Sequence, residues 1–227
     1  MRAIQRMMLT GVLILTASCS TAAEGSESPT SPAAQATPSS STGGASPSVI
    51  PSPVSTQDAD AAREEVPSRI VVPALSIDLP VVSGDLVVPG NARDYPLCDV
   101  AQYLTTYRHP DRIGTTTWIY AHARPGMFLS LLEISEKDDG AALIGSKVEV
   151  YSTAGHRYTY RVTEVLRHAV DRSLALVSPE ARRLVLQTSE GPSGTVPKLQ
   201  VAADFIKVTP STTAKSMPSA APRDCSE

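Results

Sequence analysis

The sequence predicts one mainly β domain that closes into a barrel and is flanked by disordered segments. Short segments rich in β-branched residues recur along residues 67–208, and several alternate strictly between apolar and polar side chains. Helical patterns are few and short. Many short strands at even spacing favour a closed barrel, because closure leaves no unpaired strand edge. Outside this region, Ser, Pro and Ala dominate and large apolar side chains are rare.

The N-terminal residues have the pattern of an export signal. Two arginines precede an apolar run, and small residues lead from it to Cys19. The run is too short to span a bilayer, which needs about 20 residues. The stretch LTASC is similar to the lipobox of bacterial lipoproteins, although Thr16 stands where Leu is usual. We expect a signal peptide over residues 1–18 and lipid on Cys19; the alternative is a simply cleaved signal whose cysteine is incidental.

The two flanking segments are predicted to be disordered. Residues 19–66 consist mainly of Ser, Pro, Ala, Thr and Gly, and residues 209–227 have the same character. Such segments cannot bury enough apolar surface to offset the entropy lost on ordering. We therefore predict a tether over 19–66, a folded domain over 67–208 and a disordered tail over 209–227. The net charge of −3, without a basic block, argues against a nucleic-acid partner.

The elements of the folded region follow from its patterns. Alternation or β-branched runs predict strands at 69–75, 77–82, 115–123, 146–152, 156–168, 182–188 and 198–208. Short helices are predicted at 99–104, 127–134 and 173–183. The sequence has no Gly-rich phosphate loop, CxxC or HExxH motif, so we expect neither a cofactor nor a metal ion.

The cysteines fit an exported protein. If Cys19 carries lipid, Cys98 and Cys225 remain, and an even pair in an oxidising compartment suggests a disulfide. Closing a loop of that length contributes about 4–5 kcal/mol in the chain-entropy model. The alternative is two free or separately paired thiols.

Four segments, taken in order, form a further pattern. They are Val72–Val81, Ala121-His122 with Met127-Phe128, VLQTS ending at Thr188-Ser189, and Val201–Phe205. This ordered set resembles the sortases, the cysteine transpeptidases of bacterial cell surfaces. That family opens with I-P-x-I-x-(V/L)-x-x-P-V, carries a strand ending in a small residue and the catalytic His, then a T-L-x-T-C strand end, and closes on V-x-A-x. The resemblance covers residues 69–208 and implies an eight-stranded barrel of the sortase type.

Two departures from the family pattern concern the predicted site. Ser189 occupies the position of the nucleophilic Cys, and no Arg precedes the closing strand, where Lys198 is the nearest cation. A serine hydroxyl needs a general base, for which His122 is the candidate, and we hypothesise that the two side chains lie within hydrogen-bonding distance. Glu190 and Asp99 are candidates to orient the imidazole. Lys198 or Arg124 is the candidate cation for an oxyanion or substrate, and the Glu190 backbone N–H is a candidate oxyanion donor. Alternatively, Ser189 is a polar strand-end residue of a decayed site.

Three functions remain open on the sequence alone. We favour a non-classical or inactive sortase that acts on peptide or cell-wall ligands at the outer face of the membrane, anchored as a lipoprotein and monomeric. The first alternative is an active serine-dependent acyl transferase or hydrolase that uses His122 and Ser189. The second is a structural surface module without a ligand.

Overall fold

The computed structural model describes residues 64–92, 95–178, 180–191 and 196–225. The predicted signal peptide, Cys19 and nearly all of the predicted tether lie outside the described residues. The strands are β1 (Pro67–Val72), β2 (Ile77–Ser83), β3 (Ala101–Tyr103), β4 (Thr115–Tyr120), β5 (Lys147–Ser152), β6 (His156–Ala169), β7 (Arg182–Ser189) and β8 (Lys198–Pro210). The helices are α1 (Leu129–Ser135) and α2 (Thr213–Ser216), with short 3-10 helices at Pro73–Leu75, Thr105–Tyr107, Asp138–Leu143 and Ser173–Ala175.

The eight strands close into one barrel in the order β1-β2-β3-β4-β7-β8-β6-β5. The pairs β2–β3 and β4–β7 are parallel, and the other neighbours are antiparallel. This confirms the predicted fold class, a closed eight-stranded barrel with few short helices. Among the described residues, no helix has the length and apolar character needed to cross a bilayer.

Alternation along the strands separates two apolar clusters. Leu184 and Leu186 of β7 belong to the large cluster, whereas Val185 between them packs with Trp118 in a second one. Successive side chains of a strand point to opposite faces, which accounts for this division. Trp118 has no exposed surface, so this side chain is a packing residue. The large cluster also contains Ile70, Val72, Ile119, Phe128, Leu131, Val148, Val150, Tyr160 and Val201.

Two of the predicted helices are wrong. The segment predicted as a helix at 99–104 contains β3, which pairs with β2 in parallel and with β4 antiparallel. Its Gln102 is buried, and its side-chain oxygen accepts a hydrogen bond from the Leu97 N–H at 2.8 Å. The segment predicted at 173–183 keeps only the 3-10 turn Ser173–Ala175 before β7 begins. In the first case, pairing with β2 and β4 overrides local propensity.

The C-terminal residues differ from the predicted disordered tail. β8 extends to Pro210, and residues 211–225, which we call the C-terminal strap, contain α2. The Ser68 hydroxyl donates to the Ser216 carbonyl at 2.5 Å, and the Cys98 N–H donates to the Arg223 carbonyl at 3.0 Å. A disulfide joins Cys98 to Cys225. The strap is therefore fixed by partners far away in the sequence.

Candidate active site

The ends of β4 and β7 bring the predicted site residues into one region. The two strands are parallel, and Tyr120 of β4 lies opposite Gln187 of β7. His122 and Ser189 each follow this pair by two positions. They therefore lie at the same end of neighbouring strands, as a His and a hydroxyl must do to share a site.

Two hydrogen bonds fasten these strand ends beyond the regular ladder. The Ala121 N–H donates to the Gln187 carbonyl at 3.2 Å. The buried Thr188 hydroxyl donates to the Ala121 carbonyl at 2.9 Å. Because Thr188 directly precedes Ser189 and Ala121 directly precedes His122, this bond fixes the spacing of the backbones that carry the site.

A tight turn explains how the chain leaves His122. Pro125 and Gly126 are the central residues of a β-turn closed by the Met127 N–H, which donates to the Arg124 carbonyl at 2.9 Å. Gly126 has φ of +78°, which suits the third position of a type II turn. The next N–H, of Phe128, donates to the His122 carbonyl at 2.9 Å. The turn thereby ties the backbone of His122 to that of the buried Phe128.

Ser189 and Lys198 face each other across β7 and β8. They are opposite residues in the antiparallel register. The Lys198 Nζ atom lies 2.8 Å from the Ser189 Oγ atom, a hydrogen-bond distance. Both side chains are half-buried. Lys198, a candidate cation from the sequence, is therefore in direct contact with Ser189, the candidate nucleophile.

His122 is bonded elsewhere. Its side chain is buried, and its Nε2 atom lies 2.7 Å from the Pro96 carbonyl oxygen, to which the ring N–H donates. The Tyr95 ring packs beside it, with centroids 4.8 Å apart. Among the described residues, no hydrogen bond joins His122 to Ser189. The two residues share a strand end, but the hypothesised His–Ser hydrogen bond is not formed in this structure.

Burial lowers the pKa of both ionisable groups of the site. For His122, burial is the largest cause, Arg124 and Lys198 add to it, and the Pro96 carbonyl opposes it. For Lys198, burial from water is the cause. Both shifts favour the neutral forms, since a buried cation loses its hydration.

Glu190, a candidate to orient the His122 imidazole, forms ion pairs with other residues instead. Its side chain is almost completely buried and contacts Arg167 Nε at 3.0 Å and His168 Nδ1 at 2.8 Å. Its backbone N–H, a candidate oxyanion donor, donates to the Pro197 carbonyl at 3.3 Å. Glu190 therefore stabilises the end of β6 instead of serving His122.

The other two sequence candidates lie at the disulfide. Asp99 forms an ion pair with Arg223 of the C-terminal strap. The Arg124 guanidinium donates to the Cys98 sulfur at 3.4 Å and to the Cys225 carbonyl at 3.1 Å. Arg124 thus connects the turn after His122 to the strap, and the structure places Lys198 instead at Ser189.

A cavity of about 720 Å³ adjoins the site. Gln187 and Lys198 line it from the barrel, and the loop after β2 forms its other wall with Leu86, Val87 and Val88. Val87 is 85% exposed. The volume lies within the range of ligand pockets, roughly 300–1,000 Å³.

Two parts of the site were not predicted from the sequence: the loop after β2, which lines the cavity, and the Pro96 carbonyl, which accepts a hydrogen bond from His122. The signal for the loop was its run of three apolar residues, Leu86 to Val88, between turn-forming residues. No sequence pattern could indicate the carbonyl that accepts from His122, because every residue has a backbone carbonyl group. No cluster of three or more His, Cys, Asp or Glu side chains suited to a metal ion occurs within the described part of the chain.

The fold and this site define a class of closed β-barrel proteins whose candidate site residues lie at the ends of two parallel strands. A family model described as Sortase domain matches residues 70–204, more than half of the chain. The chain belongs to the sortase family.

Several solved structures of this family are similar to the chain. Sortase C1 of Streptococcus suis has 19% identity and a TM-score of 0.48, covering 63% of this chain and 74% of that one. Sortase C of Streptococcus pneumoniae has 20% identity and a TM-score of 0.49, covering 73% and 82%. Sortase A of Listeria monocytogenes has 19% identity and a TM-score of 0.49, covering 68% and 99%. No curated protein matches the chain significantly. The family assignment rests on the family model alone.

Proposed function

We propose that this chain is a non-classical sortase that transfers acyl groups of peptide or cell-wall ligands through a serine, Ser189. The observation that supports the proposal most is the 2.8 Å contact between Lys198 Nζ and Ser189 Oγ. A decayed site has no need for a half-buried cation at its hydroxyl, and removing part of that cation from water is unfavourable. The adjoining cavity supplies room for a ligand beside this pair.

The chemistry differs from that of a cysteine sortase. A cysteine is a few per cent thiolate at neutral pH and is intrinsically very nucleophilic. A serine hydroxyl is not ionised at that pH, so a neighbouring base must take its proton during attack. We therefore propose serine-dependent acyl transfer or hydrolysis, without the thiolate of the family.

The proposed location is the outer face of the membrane. Export by residues 1–18 and lipid on Cys19 would anchor the protein, and the tether over 19–66 would let a single barrel domain reach cell-wall peptides as a monomer. The anionic chain, with net charge −3, suits a peptide ligand better than a nucleic acid.

A fluorophosphonate probe tests the serine proposal without a known substrate. The mature full chain should be labelled covalently, and the labelled peptide should contain Ser189. Ser189→Ala is the matched control, because the change removes one half-buried hydroxyl and should leave the circular dichroism spectrum unchanged. An absence of labelling in folded wild-type protein would overturn the proposal.

The second candidate function is binding of the same ligands without turnover. The bond between His122 and the Pro96 carbonyl favours this function, because it holds the family's catalytic imidazole away from Ser189. A folded but unlabelled protein that retains cell-wall peptides in a pull-down would support it.

A further inference from the structure

The strand register places one basic group directly at the hydroxyl. Ser189 and Lys198 are the first pair of the antiparallel ladder between β7 and β8, next to the loop that joins them. Their neighbours in the ladder, Thr188 and Leu199, are buried. The two paired strands therefore fix the backbones of both residues, and the Lys198 Nζ atom lies 2.8 Å from Ser189 Oγ.

Lysine and arginine differ in the one property that matters at this position. An arginine guanidinium does not lose its proton in proteins, whereas a buried lysine can become neutral. Burial lowers the pKa of Lys198. Charged and titratable groups from several elements line the same cavity as Lys198 or act on the site electrostatically. These are Asp85 and Tyr95 from the loop after β2, Tyr120 and His122 from β4 and its end, and Arg172 from the segment after β6.

The alternative base is poorly placed for the task. The His122 Nε2 atom is bonded to the Pro96 carbonyl, and the acidic candidates for orienting the ring, Glu190 and Asp99, have other partners. A His base in a serine enzyme needs one ring nitrogen at the hydroxyl and the other held by an orienting group. The Pro96 carbonyl orients the ring through Nε2, but among the described residues no hydrogen bond joins the other ring nitrogen to the Ser189 hydroxyl.

We propose that Lys198 is the general base that activates Ser189, so that the site works as a Ser–Lys pair. This inference rests on the proposed serine-dependent function. His122 is then a positioning residue, which holds the Pro96 wall of the cavity through its ring N–H.

The reaction balances with these two residues. Neutral Lys198 takes the hydroxyl proton as Ser189 Oγ bonds to the carbonyl carbon of a peptide, and the resulting ammonium gives that proton to the leaving amine as the C–N bond breaks. An incoming amine or water then attacks the acyl-serine and passes its proton to Lys198. The C–Oγ bond breaks, and Oγ recovers its proton from the ammonium. With the fluorophosphonate probe, the P–Oγ bond forms and fluoride leaves.

Lys198→Arg is the decisive variant, since it keeps a cation at Ser189 but cannot act as a base. We expect the rate of fluorophosphonate labelling to fall by about 10²–10⁴-fold, the usual contribution of a general base. The labelling rate should fall by a similar factor in Lys198→Met, but by less than about tenfold in His122→Gln. Thermal unfolding of each variant checks that the barrel is intact. The labelling rate of wild-type protein should rise with pH through a midpoint below the ordinary lysine pKa of about 10.4, and Lys198→Met should lose this step.

The outcomes separate the inference from the function on which it rests. If Lys198→Arg labels Ser189 at nearly the wild-type rate, Lys198 acts only as a cation and the inference is wrong, while the serine function stands. If His122→Gln abolishes labelling and the midpoint lies below about 6.5, the ordinary histidine pKa, His122 is the base and the inference is also wrong. If wild-type protein is not labelled at all, the proposed function itself fails.

Discussion

Removing the Cys98–Cys225 disulfide is expected to destabilise the barrel strongly. The bond closes a loop with a sequence separation of 127 residues. In the chain-entropy model, a loop of that length removes about 5 kcal/mol of conformational entropy from the unfolded state. For a domain of this size, 1 kcal/mol shifts Tm by roughly 2–4 °C, so the expected fall in Tm is about 10–20 °C.

The test compares oxidised wild-type protein with the double variant Cys98→Ala/Cys225→Ala. Alanine avoids placing a hydroxyl at two positions that are almost fully buried, with relative exposures of 3% and 1%. Thermal unfolding followed by circular dichroism gives both Tm values, and a reducing agent should lower Tm only in wild-type protein. The intact mass of non-reduced wild-type protein should be lower than that of the dithiol form by two hydrogen atoms, which establishes that the starting material contains the disulfide.

A fall in Tm below about 2 °C would refute this reasoning. It would mean that the hydrogen bonds of the C-terminal strap, such as that from the Cys98 N–H to the Arg223 carbonyl, hold it without the covalent link. The Arg124 guanidinium bridges the disulfide to the turn after His122. The double variant should therefore also slow labelling of Ser189 more than its lower stability alone explains.

Three further predictions concern single positions. Thr188→Val removes the buried bond to the Ala121 carbonyl and should cost about 1–3 kcal/mol in urea unfolding; an unchanged midpoint would show that this bond does not hold the strand ends together. Phe128→Ala empties a fully buried position and should cost about 3–5 kcal/mol, which the same experiment measures; a cost below 1 kcal/mol would contradict its place in the core. Cys19→Ala should move the protein from the membrane fraction to the medium or wall fraction, and unchanged fractionation would refute the lipid anchor.

Strand patterns made most of the barrel predictable. The alternation within 146–152 and 156–168 predicted the two strands that the structure pairs as β5 and β6. β3 could not be predicted in the same way, because its three residues, Ala101–Tyr103, are too few to show a period. They form a strand only because β2 and β4 lie on either side. Short strands of this kind depend on their neighbours more than on their own sequence.

The order of the C-terminal strap was not visible in its composition. Its Ser, Pro and Ala content is that of a disordered segment, and it buries little apolar surface. Its order comes from the disulfide and from single hydrogen bonds to residues that lie more than a hundred positions away, such as Ser68. Composition reports the average ability of a segment to bury surface, and it does not report individual long-range links.

The pairing of Ser189 with Lys198 could have been predicted from the sequence. The two residues flank a loop rich in Gly, Pro and Ser, and the strands on either side form an antiparallel pair. If that loop is treated as a hairpin connection, the residues at its ends must face each other. The bond between His122 and the Pro96 carbonyl could not have been predicted, because it depends on the path of the loop between β2 and β3.

If Ser189 and Lys198 stand at the positions of the family's Cys and Arg, as the resemblance implies, the two departures from the family pattern are chemically complementary. Replacing Cys by Ser removes a nucleophile that can ionise by itself and creates the need for a base. Replacing Arg by Lys removes a cation that cannot lose its proton and supplies one that can, at 2.8 Å from the new hydroxyl. Independent decay at two positions would not be expected to supply at one the group that the other now requires. The pair is therefore better explained as one change of mechanism than as two losses, and Lys198→Arg distinguishes these explanations directly.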